Sequence, residues 1–311
     1  MFLLLSRYVQ PIACIIAVLC SDHLSVIRKV HISNCRIPKP MQPITSNPFY
    51  LVVLKILQVI LAPFTGVRMM LIKLLVVLED KNKPEESLRW LFAVHSFVEE
   101  WIDRKALEWG NGVHIKHELM EGIHSFFYSR IPEGSTVLDI GCGYGALADS
   151  IAANVTNVRV IGIDANRNHI EMAKSMFLRD NLLFIAGDAT SSLPQEKIDS
   201  IVMSSVLEHL EDRPEFLQQL VVRYAPKLFL IRVPTVDRHF HSAMKKKLGV
   251  FHYVDKDHKT EYTVESFRCE IEQAGLKIDS LEVRWGDIWA VCRSCDFSSR
   301  SAECSTGSLS C

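Results

Sequence analysis

The run Thr136-Val137-Leu138-Asp139-Ile140-Gly141-Cys142-Gly143-Tyr144-Gly145 places an acid two residues ahead of three glycines at alternate positions. Glycine tolerates positive φ and lets backbone N–H groups approach a ligand closely. A helix predicted from Ala146 to Ala153 would add its positive end. Such a turn is built to cradle a cofactor, with the Asp139 carboxylate at its rim. Asp164 follows 25 residues after Asp139, near the roughly 20-residue offset at which an acid meets ribose hydroxyls in open parallel sheets. A third acid, Asp188, stands in Gly187-Asp188-Ala189. A second kind of chemistry, proton transfer, is offered by His209 beside Glu208, by His258 and Glu261, and by His114 and His117.

These residues need strands that end at one edge. Strands are predicted at Thr136 to Asp139, Arg159 to Asp164, Leu182 to Ala186, Ile198 to Met203 and Leu228 to Val233, alternating with helices, which is the pattern of a mostly parallel sheet. Asn166 is positioned to cap one helix, with Ile170, Ala173 and Phe177 inward. Asp212 and Pro214 start another, whose apolar face is Phe216, Leu217, Leu220, Val221 and Tyr224. Thr263 caps a helix ending before Gly275. Lys277 to Trp285 and Ile288 to Cys292 then close the domain as an antiparallel pair turning at Gly286-Asp287.

A dinucleotide fingerprint reads G-x-G-x-x-G, whereas the spacing here is G-x-G-x-G. With the acid before it, this run resembles motif I of the class I S-adenosylmethionine (SAM) methyltransferases. Val206-Leu207-Glu208-His209-Leu210 resembles the segment after strand four in the type 11 and type 12 methyltransferases. The resemblance covers about residues 115 to 292. It implies an α/β, Rossmann-like, seven-stranded, mostly parallel sheet with an antiparallel last strand, preceded by an apolar helical N-terminal extension. It also implies SAM as cofactor. Asp139 would then fix the donor's ammonium group and Gly141, Gly143 and Gly145 would wrap its methionine part. Asp164 would take the ribose, and Asp188 and the Ala189 N–H the adenine, with Glu208 in the motif after strand four. His209, His258 and Glu261 are the candidate bases if the acceptor is an oxygen.

The 311 residues are 48% hydrophobic and 23% charged, with a net charge of −1, which gives no support to nucleic-acid binding. Nine scattered cysteines with a single C-x-x-C, Cys292 to Cys295, predict a reduced intracellular protein and no metal. Residues 1–48 are a poorly defined extension ending in a basic, proline-rich linker, within which Met41 is a candidate native start. Residues 49–80 are strongly apolar and read as two short helices broken at Pro63 and Gly66, each too short to cross a bilayer. Lys55, Arg68 and Lys73 suit such a hairpin to a membrane interface; the alternative is a helical cap. Residues 81–131 form a helical cap or lid, 132–293 the methyltransferase domain with a substrate-lid insertion at 235–262, and 294–311 a serine-rich disordered tail.

The expected activity is therefore methyl transfer to an acceptor, with a lipid or lipid-linked glycan oxygen favoured by the apolar block. A soluble small-molecule acceptor and a non-catalytic SAM-binding module are the alternatives. The expected location is the cytoplasm, either free or peripheral on a membrane.

Overall fold

The computed structural model describes residues 65–79 and 83–294. The extension at 1–48, the first half of the apolar block and the serine-rich tail lie outside them. The chain divides into two compact units between Leu74 and Leu75. The first described element, α1 (Thr65–Glu79), is a 15-residue helix with no buried residue. At 1.5 Å per residue it spans about 22 Å, short of the roughly 30 Å of a bilayer core. No described helix is long and apolar enough to cross a membrane.

After α1 comes α2 (Pro84–Trp109), a single 26-residue helix. Pro84 sits in its first turn, where a missing N–H costs nothing, and Glu85 and Glu86 complement its dipole. Asn111 and Gly112, both at positive φ, end it. Within the expected helical cap follow two single turns, α3 (Lys116–Leu119) and α4 (Ser125–Tyr128). Gly122 at φ +77 lies between them, in a conformation that a helix cannot contain.

The sheet comprises β1 (Thr136–Ile140), β2 (Arg159–Asp164), β3 (Leu182–Ala186), β4 (Ser200–Ser204), β5 (Leu228–Pro234), β6 (Leu276–Arg284) and β7 (Asp287–Ser294). Their order is β3-β2-β1-β4-β5-β7-β6, with β7 alone antiparallel to its neighbours. Trp285 and Gly286, both at positive φ, make the two-residue turn between the last two strands.

Alternation along each strand feeds two cores. Val137, Val160, Val202 and Leu230 face one side with Phe126, Phe127 and Trp289, under α5 (Ala146–Asn154) and α6 (Arg167–Met176). Leu138, Ile161, Ile201 and Phe229 face the other, covered by α7 (Arg213–Tyr224) and α9 (Val264–Gln273). All five residues predicted for the inner face of α7 are buried. A fully buried side chain of this size contributes about 1.5–3 kcal/mol, so the strand edge is rigidly held.

Residues 235–262 are not a loop throughout, because they contain α8 (Phe240–Lys247), begun by His239 accepting from the His241 N–H. Lys245, expected in a solvated basic run, is buried with its ammonium 5.6 Å from the Phe92 ring centroid. Its stem lies against apolar surface of α2, as lysine's methylenes allow.

Candidate active site

Asp139 is 1% exposed, and its Oδ2 accepts no hydrogen bond from any described residue. Burial, and then the nearby Asp164 carboxylate, push its pKa up to about 8. The turn beyond it rises to α5 through Gly141, Gly143 and Gly145, all at positive φ. A Cβ on Gly141 would lie 2.6 Å from Val206 and one on Gly145 2.5 Å from Phe184, so these two glycines serve packing as well as the turn. A Cβ on Gly143 would meet nothing within 4 Å and would project into open space. The cradle is therefore open at its middle glycine.

Asp164, at the tip of β2, accepts from the Gly143 N–H at 2.9 Å and the Asn166 N–H at 2.8 Å. One carboxylate thus ties the second strand to the glycine turn. It has further lone pairs for hydroxyl donors. His169 lies 3.4 Å from it and packs against the Tyr144 ring. Beyond β3, the Oδ1 of exposed Asp188 accepts from both the Thr190 N–H and its hydroxyl, which shapes the Gly187-Asp188-Ala189 corner.

A cavity of about 410 Å³ opens over this edge. Asp139, Gly141 and Gly143 line one wall, Ser204, Ser205 and Arg232 another, and Asp103, Arg104, His114, Lys116 and His117 a third. Arg232 was not singled out in the sequence. It is buried, and its Nε and Nη2 donate to Asp287 Oδ2 at 2.9 and 2.6 Å. Its pairing partner comes from β7, 55 residues away, so no local pattern marks it. Desolvation lowers the pKa values of Lys116 and His114. It takes His117 down to about 3, helped by His124, whose Nε2 lies 2.8 Å from His117 Nδ1. At neutral pH His117 is an uncharged donor–acceptor, not a cation.

Next to this cavity, Glu208, His209 and His258 are brought together from two segments about 50 residues apart, with one donor atom of each within 4.8 Å of the others. The short 3₁₀ turn Leu207–His209 follows β4, and the Glu208 carbonyl accepts from the Lys259 and Thr260 N–H groups at 2.7 and 3.3 Å. That pins the insertion over the turn. The Glu208 side chain is buried, with neither oxygen accepting from a described residue, and burial raises its pKa to about 7. Glu261 has a different place from the base suggested by its type. Its side chain is fully buried and accepts from Arg238 Nη2 at 2.6 Å, Val254 N at 2.5 Å and His258 Nδ1 at 2.9 Å. Burial alone would raise its pKa, but these donors outweigh it and hold the carboxyl below its usual range. It positions His258.

The chemistry this edge can hold is a ligand with a cation near Asp139, polar groups along the backbone amides of the turn, and hydroxyls near Asp164. A methyl donor of the SAM type has all three. The family model described as a methyltransferase domain matches residues 113–281, just over half of the chain. An (S)-tetrahydroprotoberberine N-methyltransferase of Eschscholzia californica is 32% identical over 108 residues, 33% of this chain and 31% of that protein. A ubiquinone biosynthesis O-methyltransferase of Rhodopseudomonas palustris (strain BisA53) is 26% identical over 168 residues, 49% and 65% respectively. The chain thus spans less than two thirds of either relative. Among solved structures, the magnesium protoporphyrin IX methyltransferase of Synechocystis PCC 6803 aligns over 59% of this chain and 85% of its own, at 16% identity and a TM-score of 0.46.

Proposed function

The chain belongs to the methyltransferase-domain family, and from that premise we propose that it transfers a methyl group from SAM to an acceptor entering beside Arg232 and the α2–α3 wall. When bound, the donor supplies an electrophilic methyl on a sulfonium. The observation that carries the reading is the unpaired, buried Asp139 oxygen facing an open glycine turn at the carboxyl edge of the sheet. Asp139 would hold the donor's ammonium, Gly141, Gly143 and Gly145 its methionine part, Asp164 its ribose, and Asp188 with the Ala189 N–H its adenine. The protein's task is then alignment of donor and acceptor and exclusion of water, effects worth several kcal/mol of barrier when geometry is held.

The acceptor we favour is a lipid or lipid-linked oxygen. Support comes from α1, where Met69, Met70, Ile72, Leu74, Leu75, Val77 and Leu78 are all more than half exposed and no acid precedes Glu79. Such a helix suits the interfacial plane of a bilayer. Relatives named for nitrogen and oxygen acceptors are compatible with a soluble small molecule instead.

Two experiments separate these parts. Calorimetric titration with SAM and with S-adenosylhomocysteine should show one site, and well-folded protein giving no binding would remove the donor reading. Sedimentation with vesicles should recover the full chain, while Met70→Glu with Leu74→Glu should stay in solution. Equal recovery of both would remove the lipid reading and leave a soluble acceptor.

A further inference from the structure

Glu208 presents a problem that the donor site does not solve. A carboxylate out of water is tolerated when it is paired or coordinated, and this one accepts nothing from the described residues around it. What it faces is two imidazoles. His258 gives its Nδ1 to Glu261, which leaves Nε2 as the free ring nitrogen. His209 packs edge-on against His258, with centroids 4.8 Å apart. His258 is thus oriented by a hydrogen bond on one nitrogen with the other nitrogen available, the arrangement that fixes metal-ligating imidazoles. The buried Glu261 carboxylate behind His258 supplies the supporting partner that such ligands use.

We propose that Glu208, His209 and His258 form a binding site for one divalent transition-metal ion of the zinc class, beside the donor cavity. Two imidazole nitrogens and one carboxylate oxygen are a ligand set for such ions, and three protein ligands leave a coordination position open. The donor atoms lie within 4.8 Å of one another, and small side-chain rotations bring them around an ion with bonds of about 2.1 Å. The ion neutralises the buried carboxylate. Cysteine spacing could not have shown this site, because its ligands come from opposite sides of β5 in sequence. The metal site stands on its own geometry; use of its open position for an acceptor oxygen rests on the methyltransferase reading.

The test uses the full chain. After incubation with Zn²⁺ and desalting, the wild type should retain about one equivalent by elemental analysis. Glu208→Gln and His258→Ala should each retain less than a tenth of that, with the circular dichroism of the wild type. Cobalt(II) in the wild type should give visible d–d bands without thiolate charge transfer. Zinc absent from the wild type, zinc undiminished in both variants, or a thiolate–cobalt band would each overturn the proposal. If the variants do not fold, the wild-type cobalt spectrum decides alone. Failure of SAM binding with zinc retained would sink only the donor reading.

Discussion

The tips of β1 and β4 each carry a carboxylate that is 1% exposed, has an unpaired oxygen and is raised in pKa, to about 8 for Asp139 and about 7 for Glu208. Their surroundings differ. Asp139 looks into a glycine turn whose middle residue leaves room for a ligand, whereas Glu208 looks at two imidazoles, one of them held by Glu261. On the two proposals above, a buried acid would serve an organic cation at one tip and a metal ion at the other. Neighbours, not the residue type, decide which.

Arg232 lies on β5 beside the end of β4, and its removal should have the largest effect. Arg232→Ala leaves Asp287 buried and uncompensated, which costs about 3–5 kcal/mol, read by urea denaturation. The pair Arg232→Met with Asp287→Leu should recover most of that loss. If Arg232→Ala is as stable as wild type, the buried pair does not support the β4 tip.

Gly143→Arg should come next, weakening SAM by at least about 100-fold, or ~2.7 kcal/mol, because the side chain fills the open cradle. Zinc retention should not change. Loss of both ligands together would make the two tips one site. Glu261→Gln acts on the other tip alone. It removes the carboxylate that orients His258 and should lower zinc affinity about 10–100-fold, with SAM unaffected in calorimetry. The smallest effect is expected from Asp164→Asn, a several-fold loss of SAM affinity with the circular dichroism preserved, since the amide still accepts from Gly143.

The β1 cradle was legible in the sequence, and at the β4 tip Glu208 and His209 were marked by their motif while their meeting with His258 was not, for a physical reason. The cradle is local: an acid, three glycines and a helix start within ten residues, each with a conformational meaning of its own. The buried face of α7 was legible likewise, because Phe216, Leu217, Leu220, Val221 and Tyr224 repeat with the helix. The β4 cluster depends on residues 253–262 folding back until Lys259 and Thr260 bond the Glu208 carbonyl, a contact without any sequence period. His209, His258 and Glu261 were named singly as bases. Their mutual geometry makes Glu261 a support for His258. The helix α8 was missed because its polar residues outnumber its apolar ones, and Lys245 because its burial depends on Phe92 in a distant element.

The raised pKa of Asp139 has a defined sign. Its folded value near 8 lies above the ordinary carboxylate value of 3.8, so the ligand-free protein holds a proton that the unfolded chain has lost at neutral pH. Stability from this group is full below about pH 4 and falls as pH rises toward 8, and Asp139→Asn should flatten that fall. A cation bound beside Asp139 reverses the preference and expels the proton. The decisive measurement is therefore SAM titration at pH 7 in two buffers of different ionisation enthalpy. The account predicts one site that releases close to one proton in the wild type, with release abolished and affinity about tenfold weaker in Asp139→Asn. Binding of SAM with the same proton balance and affinity in both proteins would contradict the assignment of Asp139, and with it the cradle on which the function rests.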